Sequence, residues 1–112
     1  MTMIDIFKTR LPEGLELESI KNYSRFSYLV TLNYKGICKI KSFLHKKCAP
    51  GKEKLVCDLD VSIAMINIGL CLNDAEMTRH WKAKQEWVFD LWTMAEKSSK
   101  KQQTPVKSSK RQ

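Results

Sequence analysis

The clearest pattern in the chain is the alternation from Phe26 to Tyr34. Phe26, Tyr28, Val30, Leu32 and Tyr34 fall on one side, and Ser27, Leu29, Thr31 and Asn33 on the other. A period of two, in a run rich in aromatic and β-branched residues, predicts a half-buried antiparallel strand. Lys35-Gly36 follows as a tight turn, with glycine supplying the positive φ that a hairpin needs. Ile37 to Leu44 reads as the return strand, with Cys38, Ile40 and Leu44 inward and Lys39, Lys41 and Phe43 outward. Upstream, Leu15 to Lys21 sets Leu15 and Leu17 against Glu16 and Glu18, a third short strand joined through the polar turn Asn22 to Arg25. Pro12 and Gly14 break the chain before it. The apolar positions Met3, Ile4, Ile6, Phe7 and Leu11 fit either a short helix or an irregular strand.

The period changes in the second half. His45 to Lys54 reads as a basic loop centred on Pro50-Gly51, with Leu55 to Cys57 as a further short extended piece. Asp58 or Asp60 is placed to cap a helix starting near Val61. That helix is apolar on most sides, which places it in the core. Asn73 ends it and Asp74 caps the next, from about Ala75 to Lys97. Met77, Trp81, Val88, Leu91, Trp92 and Ala95 form the apolar stripe of this last helix. Trp87 and Phe89 do not fit the stripe, so one of them is expected at the surface or against a partner.

From Ser98 to Gln112 the only apolar side chain is Val106, so this Lys/Ser/Gln-rich tail is expected to be disordered alone. The predicted fold is therefore α+β. A small three-stranded antiparallel β-meander packs against two C-terminal helices in a single domain, residues 1–97, followed by the tail, 98–112. A length of 112 residues leaves room for one domain of this kind.

Charge adds a functional direction. The formal net charge is +8, and it is concentrated in two places. Lys35, Lys39, Lys41, Lys46, Lys47, Lys52 and Lys54 face Glu53 alone across their segment, and the tail carries Lys100, Lys101, Lys107, Lys110 and Arg111 with no acid. Concentrated positive charge points to an anionic partner, most commonly nucleic acid; the plainer explanation is a solvated, lysine-rich surface.

The candidate chemistry is sparse. Cys38, Cys48, Cys57 and Cys71 contain no C-x-x-C, so a Cys38/His45/Cys48/Cys57 zinc site lacks the usual close pair and reduced, metal-free cysteines are expected. Cys48, beside His45, Lys46 and Lys47, is the one cysteine whose neighbours favour a lowered pKa. Asp58 and Asp60 could hold a divalent cation on a strand, but suit helix capping better. There is no phosphate-binding glycine loop, no G-x-S-x-G and no H-E-x-x-H, and the two histidines stand apart. No cofactor is expected and the protein is not expected to be an enzyme. With no apolar run long enough to span a bilayer and no signal-like N-terminus, a cytoplasmic, non-membrane location is expected.

The run Tyr28 to Phe43, YLVTLNYKGICKIKSF, resembles the paired strands of AP2-like and integrase arm-binding DNA domains, which place a helix after three strands and read DNA with the sheet. The basic loop before the helix and the second long helix depart from that pattern, and no function is carried over from it. The leading expectation is a small intracellular regulatory or accessory protein that binds DNA or RNA, or a complex that handles them. Its contacts would be Lys35, Lys39, Lys41, Lys46, Lys47, Lys52, Lys54, Lys100 and Lys101. Small chains without catalytic motifs are common among phage and mobile-element proteins, an analogy and not an inference from residues. The rival expectation is a protein–protein inhibitor or adaptor of a host complex anchored by Trp87 and Phe89 on the last helix, since Trp is favoured in interface hot spots.

Overall fold

The computed structural model describes the backbone of residues 2–100 and the side chains of residues 2–94. Lys101 and the rest of the tail lie outside the described residues, and of Lys100 only the backbone is described. The elements run α1 (Met3–Thr9), β1 (Leu15–Asn22), β2 (Ser27–Tyr34), β3 (Cys38–His45), α2 (Glu53–Cys71) and α3 (Ala75–Lys100). The fold is α+β, with one three-stranded antiparallel sheet in the order β1-β2-β3.

The N-terminal segment resolves to a helix because Thr2 and Asp5 form a reciprocal capping box. The Thr2 hydroxyl accepts from the Asp5 N–H at 3.1 Å, and the Asp5 carboxylate accepts from the Thr2 N–H at 3.4 Å. Met3, Ile6 and Phe7 then share a buried face.

Val30 and Leu32 of β2 and Cys38 and Leu44 of β3 are buried, and the Lys35-Gly36 turn takes positive φ at both residues. Phe26 departs from the alternation read in the sequence. It lies before β2 and is 70% exposed. In β1 the pairing register shifts between Leu17 and Ser19. This bulge at Glu18 lets Leu15, Leu17 and Ile20 share the inner face despite uneven spacing.

The second half differs at the start of α2. The helix begins at Glu53, well before Val61, so Leu55 to Cys57 is helical and Lys54 sits on the first turn and not on a loop. The N-cap position falls on Lys52. Asp58 and Asp60 cap nothing, because each is held by a partner from another element. Asp58 receives a bidentate pair from Arg10 at 2.6 and 2.8 Å, and the buried Asp60 accepts from His45. Asn73, with φ 58°, ends the segment after α2, and Asp74 caps α3 by accepting from the Met77 N–H at 3.0 Å. The covering of the sheet is layered: α2 lies against β3, and α3 lies against α2. Among the described residues no helix is long and apolar enough to cross a membrane.

Candidate nucleic-acid interface

Because the helices close one face of the sheet, the other is open. Alternation along each strand sends every second side chain there. The register sets Lys21 of β1 beside Leu29 of β2 and Leu29 beside Phe43 of β3. The next outward row is Ser19, Thr31 and Lys41, and the last is Glu16, Asn33 and Lys39. Lys21, Lys39, Lys41 and Phe43 are all exposed.

The two ends of this face differ electrically. Glu18, projected by the bulge, accepts from Asn33 at 2.7 Å and pairs with Lys39 at 3.0 Å. These bonds hold its carboxyl below the usual range, the Asn33 contact contributing most. With Glu16 and Glu18 against Lys39, that end is net acidic. Toward the other end, neither Lys21 nor Lys41 has an ion-pair partner among the described residues. Tyr23 lies edge-to-face against Phe43 with ring centroids 4.8 Å apart, and both rings remain about half or more open to solvent, at 62% and 49%.

The lysines singled out in the sequence do not form one patch. Lys35 lies in the β2–β3 turn with its ammonium 5.2 Å from the Tyr34 ring centroid. Lys46, Lys47 and Lys52 lie in the loop beyond the far end of β3, and Lys54 on the first turn of α2. Strand β3 has eight residues, so the two groups are separated by roughly 24 Å. Lys39 and Lys41 lie between them on the outer face. Lys46 lies 5.1 Å over the Tyr28 ring, a cation–π contact that orients it at the sheet end. Lys47 and Lys52 line a cavity of about 190 Å³ with His45, Cys48, Val56 and Trp92.

The chemistry read for Cys48 is corrected. Burial pushes its thiol pKa up, and the Glu53 and Asp60 carboxylates push the same way. Cys57 is driven to about 12 by burial, with Asp60 adding to it, and Cys38 to about 11 by burial together with its hydrogen bond to Cys71. All four cysteines are free thiols. Among the described residues no three His, Cys, Asp or Glu side chains gather as metal ligands.

Comparison with known proteins yields no matching family model, no matching curated protein and no matching solved structure. The resemblance to AP2-like hairpins therefore rests on the residues Tyr28 to Phe43 alone.

Trp87 and Phe89 are both exposed, at 59% and 52%, where the apolar stripe predicts one. Two positions apart on a helix, they point about 160° apart. Trp87 faces a groove of about 320 Å³ lined by Arg10, Asp58, Val61 and Trp81, whereas Phe89 lies edge-on to Trp92, 6.1 Å away. They cannot serve as a single anchor surface. Sequence reasoning missed Tyr23, which it assigned to a polar turn. The outward phase of Phe43 was legible, but its pairing with Tyr23 needs the hairpin geometry.

Proposed function

We propose that the protein is a non-enzymatic nucleic-acid-binding accessory or regulatory protein that uses the outer face of β3 and the loop after it. The observation supporting this reading is Lys41, exposed on the outer face of edge strand β3 and without an ion pair among the described residues, with Lys46 and Lys47 following in the loop beyond the strand's end. Lysines on an edge strand also discourage edge-to-edge pairing. The two roles differ because only phosphate contacts produce a steep salt dependence. Fluorescence anisotropy with labelled oligonucleotides tests the reading. Affinity falls as salt rises, and a combined Lys39→Glu, Lys41→Glu, Lys46→Glu, Lys47→Glu variant that remains folded loses binding. A wild-type chain that binds neither DNA nor RNA at low salt overturns it.

A second reading is favoured by the open indole of Trp87 above its groove: a protein partner inserting a side chain between α1, α2 and α3. In that case Trp87→Ala weakens partner affinity by about 1–2 kcal/mol, and the lysine variant changes mainly the on-rate.

A further inference from the structure

We infer that the open face of the sheet is a stacking platform for single-stranded nucleic acid, with Phe43 and Tyr23 receiving bases and Lys21 and Lys41 flanking them as phosphate contacts. This rests on the nucleic-acid reading above and names the form of the ligand and the residues that select it.

Single strands are bound without strong sequence preference when aromatic side chains offer π-faces inside a positively charged track. Both parts are present here, and on one face. Phe43 stands on the outer side of β3 with Leu29 beside it on β2, so its backbone is held in the sheet and not on a loop. Tyr23 packs against it in an edge-to-face arrangement at 4.8 Å and 60°, and both rings keep about half or more of their surface open to solvent, at 62% and 49%. Lys21 flanks Leu29 from β1, and Lys41 lies one outward row along β3 from Phe43. Their charges are not neutralised by any ion pair among the described residues, whereas Lys39 is paired to Glu18. The face thus has a cationic aromatic half, and a polar half where Glu16 and Glu18 outnumber Lys39; the cationic half complements a polyanion.

An unstacked strand fits this surface better than a duplex. A duplex keeps its base faces inside the helix, where an aromatic ring on a sheet cannot stack on them. A single strand presents those faces freely. An acidic protein segment would satisfy Lys21 and Lys41 but would leave the Phe43 and Tyr23 rings without the planar partners that stacking requires.

The test uses the full chain and two labelled probes of equal length, a mixed-sequence single-stranded oligonucleotide and its duplex, titrated at low salt. The expected result is tighter binding of the single strand. Phe43→Ala and Phe43→Leu each weaken it roughly tenfold or more, while Phe43→Trp retains it, since these two variants remove a stacking face and not merely bulk. Replacing Lys21 and Lys41 together by Gln lowers the salt slope for the single strand by about 1.4, at about 0.7 for each phosphate that is no longer neutralised. Melting curves of each variant verify folding, and Phe43→Trp keeps the comparison valid if Phe43→Ala unfolds. Equal binding of both probes with Phe43→Leu indistinguishable from wild type overturns the platform and leaves the nucleic-acid reading standing. Absence of binding to either probe overturns both. Capture of an acidic protein segment that depends on Lys21 and Lys41, with no oligonucleotide binding, overturns both as well.

Discussion

Gly69 of α2 meets Thr78 of α3 so closely that a Cβ on the glycine would sit 2.5 Å from the Thr78 hydroxyl oxygen and 3.1 Å from its backbone nitrogen. Both residues are buried, so this contact sets how near the two long helices can come. Gly69→Ala gains helix propensity of about 1 kcal/mol at most. The backbone of Thr78 cannot rotate away, and overpacking costs about 1–3 kcal/mol. The net expectation is a loss of up to about 2 kcal/mol by urea denaturation. A variant as stable as wild type would mean that the helices separate without cost.

Arg10 links the end of α1 to Asp58 on α2 through a bidentate pair, the geometry in which an exposed ion pair contributes most. Both side chains remain partly solvated, so screening limits the coupling. A double-mutant cycle on Arg10→Ala and Asp58→Ala should give about 0.5–1 kcal/mol, diminishing with added salt.

Asp60 is 3% exposed, and burial raises its pKa above the usual 3.8, partly opposed by His45. The folded state therefore holds this proton more tightly than the unfolded state. Its contribution is fully present below pH 3.8 and is lost as pH rises through the folded pKa. Asp60→Asn keeps an acceptor for the His45 N–H and removes the titration. The stability of wild type relative to the variant should fall as pH is raised from about 3.5 through the window above 3.8, and then level off. A pH-independent difference contradicts this.

Among the cysteines, only Cys71 is exposed. Cys38 and Cys57 are buried, with thiols pushed to about 11 and about 12, and Cys48 is half-buried and raised. A native-state thiol titration near pH 8 should find one fast cysteine, Cys71, with the others reacting on unfolding. A fast Cys48 would restore the reactivity suggested by its lysine neighbours.

The meander was legible because alternation from Tyr28 to Tyr34 leaves no other way to bury Val30 and Leu32. The start of α2 was not. Pro50-Gly51 drew the loop too far along, and Asp58 and Asp60 looked like caps because their real partners, Arg10 and His45, are distant in sequence. The bulge at Glu18 was equally hidden, since it exists only in the pairing of β1 with β2. For the candidate site, the charge and outward phase of Lys39 and Lys41 could be read directly. Tyr23 beside Phe43, and the divergence of Trp87 from Phe89, required the fold.

The most direct test of the nucleic-acid reading is a residue-resolved map of amide shifts as an oligonucleotide is titrated into the isotope-labelled protein at low salt. The account predicts the largest shifts along Lys39 to Lys47, joined by Lys21 and Tyr23, with α3 around Trp87 undisturbed. Shifts centred on Trp87 and its groove, or none anywhere, would contradict it.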